Sequence, residues 1–473
     1  MDCTDWTLQE AATMLARREL TAAEYAERLL RRGDEHGYLN AFISQPGSAV
    51  LEAAMDADAR MRRGEEPGPL HGVPLAVKDN IDTAGLPTTG GTPALRGHRP
   101  RRDAAVVRRL RRAGAIVLGK TNLHELAYGV TSDNGFFGPV RNPYDSTRIA
   151  GGSSGGTAAA VSARLAAAGL GTDTGGSVRI PAALCGVAGL RPSMGRYDQC
   201  GLLAISPTRD TAGPIARAVG DLALLDRILA DQPASMAAPL PSPLRIGIPR
   251  FPFYRLLDRA TARVVEDRLM QLQASGAKLV EADLPRRVEE LTALAGFPIV
   301  FHETPVALRR YLNASDCPVT LEDLVDEVAS PDVKDLLEFL LGEGAVGPAA
   351  YGTALRVYRP ELQQHLSDYF TEHDVAAIAF PTTPITACSL GHTTMVSVND
   401  ERMSAFAAYI RNTNLASVIG WAGLSVPAGL DEQGLPVGLE LDGPPGSEPV
   451  LLAIGQHCEQ LWGRLPAPGE RTT

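Results

Sequence analysis

The chain has 473 residues, 44% hydrophobic and 21% charged, so it can bury a large core and is not disordered by composition. Its 45 Lys and Arg against 55 Asp and Glu give a formal net charge of −10, which argues against nucleic acid or any other polyanion as partner. The start MDCTDWTLQE lacks an apolar leader core and no run of about 18 consecutive apolar residues occurs, so the expectation is a cytoplasmic protein without a membrane partner.

In chain order, Thr7 with Glu10 and Thr21 with Glu24 have the spacing of capping boxes, each ahead of a segment of good helix formers. The apolar run Val73 to Val77 in HGVPLAVKDNID predicts a short buried strand ending at Lys78. In RRDAAVVRRLRRAG, Val106, Val107 and Leu110 fall at helical spacing among arginines, which read as a solvated helix face rather than a nucleic-acid surface. The strand AIVLG follows, and TARVVEDRLMQLQASG with AKLVEADL repeats this αβ pattern near residues 261–284. RLAAAGLGTDT predicts another strand with glycine stops, and residues 214 to about 375 read as amphipathic helix lying over the sheet. The segments DVAAIAFPTTP, GLSVPAGL and GLPVGLELDG then return as strands to the same sheet. The expected fold is α/β, with a central mixed, twisted β-sheet covered by helices on both faces. No linker divides it, so one domain is expected over 1–473: a core at about 70–215, helical cover at about 216–375 and returning strands at about 376–465. The six cysteines are scattered without a C-x-x-C pair, as suits reduced thiols, and none is given a role.

Three stretches can carry chemistry. In AGGSSGGTAAA, Ser153 and Ser154 lie among four glycines before an alanine-rich helix. No lysine follows Gly156 as a phosphate loop requires, and Thr174 stands where a dinucleotide fingerprint starting at Gly169 needs its last glycine. Gly151 to Gly155 also match G-x-S-x-G around Ser153, but the polar loop RNPYDSTRIA precedes them where a nucleophile elbow needs a strand. In GTDTGGSVRI, the amides of Thr174, Gly175, Gly176 and Ser177 can converge on one point, forming an oxyanion hole that ends in its own nucleophile. A tight structural turn is the other reading of this loop, and pairing of Asp173 with Arg179 would hold it rigid. Lys78, at a buried strand end, loses solvation. An ordinary lysine leaves roughly one molecule in two thousand neutral at pH 7, and a lowering of about 3 units would make it a usable base. Tyr128 stands where His124 and Glu125 would need a second histidine to bind zinc, so no metal is expected. Ser154 and Thr157 are expected to satisfy hydrogen bonds within the loop.

With Lys78, Ser153 and Ser177, the stretches GVPLAVKDN, GKTNLHELAYG, AGGSSGGTAAAV, GTDTGGSVRIPAALCGVAGLRPSMGRY, TRDTAGPIAR and PAGLDEQGLPVGLEL resemble the amidase signature family from about residue 20 to 460. That resemblance implies an amidase without cofactor, in which Ser177 is nucleophile, Ser153 a relay behind a cis peptide bond from Gly152, and Lys78 the base. HELAYGVTSDNGFFGPVRNPY, GRYDQCGLLAISPTRDTAGPIARAVGDLALLD and IRNTNLASVIGWAGLSVPAGL look most like the indoleacetamide and mandelamide hydrolase branch, which implies a small-molecule primary arylacetamide as substrate. Tyr128, Thr131, Phe297, Phe301, Ile410 and Trp421 are the expected acyl-pocket walls, although each also suits core packing. The resemblance leaves open a glutaminase-type subunit of a tRNA-dependent amidotransferase, a non-catalytic scaffold on the same fold, and a homodimer.

Overall fold

A run of apolar residues cannot keep one face in water, and Pro74–Lys78 is buried at every position. The computed structural model describes residues 2–232, 238–315 and 317–469. Its strands in chain order are β1 (Phe42–Ser44), β2 (Pro74–Lys78), β3 (Ile116–Thr121), β4 (Ala168–Asp173), β5 (Ala188–Arg191), β6 (Thr211–Ala216), β7 (Arg245–Ile248), β8 (Lys278–Glu281), β9 (Ala377–Pro381), β10 (Met395–Val398), β11 (Glu401–Ser404), β12 (Ala422–Leu430) and β13 (Pro436–Gly443). Eleven form one sheet in the order β1-β3-β2-β4-β6-β5-β12-β13-β9-β7-β8, while β10 and β11 make a separate antiparallel hairpin. The sheet is mixed: β2 runs parallel to β3 and β4, β7 runs parallel to β8 and β9, and the remaining pairs are antiparallel.

Side chains alternate across a strand, and β6 shows both faces covered. Ala212 and Ala216 pack in the core shared with the helices Val219–Leu229 and Glu448–Trp462. Ile215, between them, packs in a second core with the helices Gly155–Ser162 and Arg179–Leu184. At the N-terminus both capping boxes form, at Thr7 with Glu10 and at Thr21 with Glu24. The arginine-rich segment forms the helix Ala105–Arg112 with Val106, Val107 and Leu110 buried.

Two expected boundaries are corrected. The cover expected at 216–375 is interrupted by β7 and β8, which extend the sheet beyond β9, because the αβ unit there docks in parallel at the edge instead of lying over a face. The stretch expected as strands at 376–465 also holds the helices Ala405–Ile410, Asn414–Ile419 and Glu448–Trp462. Arg287–Ala314 is long and apolar enough by length and composition to cross a bilayer. Here its residues Val288, Leu291, Ala295 and Ile299 enter one core cluster and Leu308 and Leu312 another.

The helix Gly155–Ser162 is buried along its whole length because its residues are small, so its backbone lies close to its neighbours. A Cβ at Gly156 would overlap the backbone carbonyl oxygens of Asn122 and Ala41. Gly156→Ala is therefore expected to destabilise the protein by about 1–3 kcal/mol or more, measured by denaturant unfolding. Wild-type stability in that variant would contradict the close packing described.

Candidate active site

The end of β2 carries Lys78 into the interior, where it is 0% exposed. Its Nζ donates to Ser153 Oγ at 2.7 Å and to Thr172 Oγ1 at 2.8 Å. Burial pushes the Lys78 ammonium down to about 7 against the opposing pull of Asp173 and Asp210. Thr172, on β4, also accepts from Asn80 Nδ2 at 3.0 Å.

Ser153 is fully buried and follows Gly152 through a cis peptide bond. Its carbonyl accepts from the His124 amide at 3.2 Å and from Ser132 Oγ at 3.3 Å, which fixes the turn. The next residue joins the two serine loops: the Ser154 amide donates to the Ser177 carbonyl at 3.1 Å. Ser154 Oγ bonds the backbone of Thr172 on β4, and Thr157 Oγ1 meets Thr121 Oγ1 on β3 at 2.7 Å, so the two hydroxyls expected to satisfy the loop instead tie it to neighbouring strands. Ser177 is 8% exposed whereas Lys78 and Ser153 are sealed, so of the three only Ser177 reaches open space.

Thr174 to Ser177 link β4 to the helix Arg179–Leu184 over a buried charge cluster. Asp173 accepts from the Gly176 amide at 2.9 Å and the Val178 amide at 3.2 Å. It also takes Arg179 Nε and Nη2 at 3.1 Å each and Arg191 Nη1 at 3.0 Å. Burial alone would push the Asp173 carboxyl up, but Arg179 and Arg191 outweigh it and hold the group well below the usual carboxylate range. Arg179 is anchored in turn to Glu440 Oε1 at 2.8 Å, Ser417 Oγ at 2.8 Å and the Thr413 carbonyl at 2.9 Å. The Asp173–Arg179 pairing expected from sequence is thus part of a larger network.

One member of the expected oxyanion set is corrected. Gly176, at φ +132, turns its amide to Asp173 and not toward the cavity, a backbone conformation that favours glycine. The Gly175 and Ser177 amides donate to no acceptor among the described residues. Thr174 lines the cavity, and its Oγ1 donates to Asp210 Oδ1 at 2.5 Å.

Ser177, Thr174 and Gly175 open onto a cavity of about 330 Å³. Tyr128, Phe297, Phe301 and Ile410 line it, together with Ile180, Ile205, Leu336, Leu340 and Phe406, and with Arg209, Asn414, Thr304 and Asp332 among its polar groups. Thr131 and Trp421 do not. Thr131 is buried with its Oγ1 3.2 Å from His124 Nδ1, and Trp421 packs edge-on against Phe370 in a core cluster. For both residues, core packing prevailed.

Sequence reasoning missed Thr172 and Asn80, although a polar residue inside an otherwise buried strand was the available signal for Thr172. It also missed Leu336 and Leu340, which arrive from the helix Pro331–Leu341 with nothing local to mark them. Among the described residues no group of three or more His, Cys, Asp and Glu is placed to hold a metal. His124 instead meets Asp332 at 3.0 Å, and Glu125 accepts the Ala329 and Ser330 amides.

The family model described as Amidase matches residues 24–452. An indoleacetamide hydrolase of Agrobacterium vitis is 40% identical over 457 residues, covering 96% of this chain and 96% of its own. A mandelamide hydrolase of Pseudomonas putida is 41% identical over 481 residues, covering 98% of this chain and 92% of its own. A solved amidase crystal structure superposes with a TM-score of 0.87 at 34% identity, over 96% of this chain and 99% of that one. The chain belongs to the amidase family and is an amide hydrolase.

Proposed function

We propose that this amidase cleaves primary arylacetamide-type carboxamides to the carboxylate and ammonia, with Ser177 as nucleophile, Ser153 as relay and Lys78 as base. The observation that carries the reading is the 2.7 Å contact of Lys78 Nζ with Ser153 Oγ in a sealed site beside an apolar cavity. Neutral Lys78 takes the proton of Ser153 while Ser153 takes that of Ser177, and the Ser177 oxygen attacks the carbonyl carbon. Negative charge then gathers on the former carbonyl oxygen, where the free amides of Gly175 and Ser177 stabilise it. Ser153 passes its proton to the leaving nitrogen, ammonia departs, and water releases the carboxylate by the reverse relay. No histidine takes part.

Ammonia needs little room, so selectivity falls on the acyl side, where Phe297, Phe301 and Ile410 offer apolar walls. The named substrates of the two curated relatives, indoleacetamide and mandelamide, both carry an aryl group one carbon from the amide, which supports the same acyl class here.

Burying a ring is worth about 1.5–3 kcal/mol, so kcat/KM for indole-3-acetamide, phenylacetamide or mandelamide is expected to exceed that for acetamide by about ten- to a hundredfold. A preference for short aliphatic amides would reject the acyl assignment, and a preference for glutamine would support the glutaminase-type reading instead. With Lys78 as base, kcat/KM should rise with pH along a limb near 7, since the neutral amine is the active form. Lys78→Ala should lower the rate by about 10²- to 10⁴-fold. An equally severe loss in folded His124→Ala with Lys78→Ala spared would overturn the base assignment.

A further inference from the structure

Beside the Lys78–Ser153 pair lies a second, much smaller cavity of about 10 Å³. Asn80, Thr172, Thr174 and Asp210 form its polar side, and apolar side chains including Leu203 and Ile205 close it. A space of about one probe sphere, roughly 10–15 Å³, holds a water when two to four polar partners surround it. The hydrogen-bond inventory of the lining supplies three.

Thr172 Oγ1 accepts from Lys78 Nζ at 2.8 Å and from Asn80 Nδ2 at 3.0 Å. Both its lone pairs are used, so its own O–H must donate to something else. Asn80 Oδ1 is buried and receives no hydrogen bond from the described residues. Leaving a buried amide oxygen in that state is costly, so an unpaired acceptor against a water-sized space points to a partner within it. Asp210 accepts from Thr174 Oγ1 at 2.5 Å on Oδ1 and from the Ile205 and Ser206 amides at 2.7 and 2.8 Å on Oδ2. Its carboxylate has lone-pair capacity remaining.

We propose that this cavity is a built site for one water molecule, which accepts from Thr172 and donates to Asn80 Oδ1 and Asp210, so that Asp210 is a positioning residue joined by hydrogen bonds to Lys78. The kinetic consequence rests on Lys78 being the base, and the water site does not.

The charged groups around Lys78 are Asp173 and Asp210. Asp173 is already engaged by Arg179 and Arg191, which leaves Asp210 as the less neutralised anion. Asp210 is itself influenced by Glu303, while Arg191 and Arg209 both feel its charge. Burial pushes the Asp210 carboxyl up to about 6, so it is mainly anionic above that pH. An anion linked to Lys78 favours the ammonium over the amine. Removing that charge should make the neutral base available at lower pH.

Two measurements test this. A crystal structure of the full chain, at a resolution that orders buried waters, should show a single water within hydrogen-bond distance of both Asn80 Oδ1 and the Asp210 carboxylate. A cavity without that density overturns the site, whatever the role of Lys78. The acid limb of kcat/KM in Asp210→Asn should move to lower pH by roughly half a unit or more, with Lys78→Ala as the reference for base-dependent rate. An unmoved or raised limb in the folded variant overturns the link, and if the variant fails to fold, the wild-type density still decides the site.

Discussion

The site depends on the desolvation of one amine. An ammonium group in water holds its proton far too tightly to serve as a base at neutral pH, and only removal from water brings Lys78 down to about 7. The fold achieves this by placing Lys78 at the end of an interior strand that has parallel neighbours on both sides and no exposed position. A carboxylate nearby opposes the effect, as Asp173 and Asp210 both do, although burial outweighs them. This gives a physical reason for the two arginines on Asp173: they hold the loop Thr174 to Ser177 in shape, and they also reduce the field that would otherwise return a proton to Lys78.

The second requirement is close approach. Two serine loops from separate segments must meet, and the residues around them are almost all small. Gly155–Ser162 packs its backbone against neighbouring carbonyls, and a Cβ at Gly176 would collide with the Thr413 side chain, which is itself bonded to the Gly175 carbonyl at 2.7 Å. Small residues thus bring together the hydroxyls, amides and ion pairs, while the larger apolar side chains are left to the cavity and the core. In the proposed mechanism the chemistry is therefore held by backbone and charge, and acyl selectivity by side chains from distant helices.

Much of this was legible from local pattern. The strands around Lys78 and Asp173 are marked by apolar runs with glycine stops, the capping boxes by Thr–Glu spacing, and the reactive loops by glycine density. What escaped was set by the tertiary arrangement. The edge position of β7 and β8 depends on docking against β9, which no local spacing encodes. Thr131 and Trp421 carry side chains suited to a pocket, yet His124 and Phe370 hold them in the interior. The Gly176 amide looked free in sequence, but the buried Asp173 carboxylate takes it. Asn80 and Thr172 stood inside or beside recognised motifs, and only their convergence on Lys78 and on a water-sized cavity gives them a role.

In the proposed mechanism the Ser177 hydroxyl, reached through Ser153 and Lys78, forms the covalent bond to the acyl group. The most direct test is to quench the enzyme during turnover of an arylacetamide, or after reaction with an acylating serine-directed probe, and to locate the adduct by peptide mass spectrometry. Modification is expected on Ser177 and should be lost in a folded Ser177→Ala variant. An adduct on Ser153, with Ser177→Ala still acylated, would contradict it.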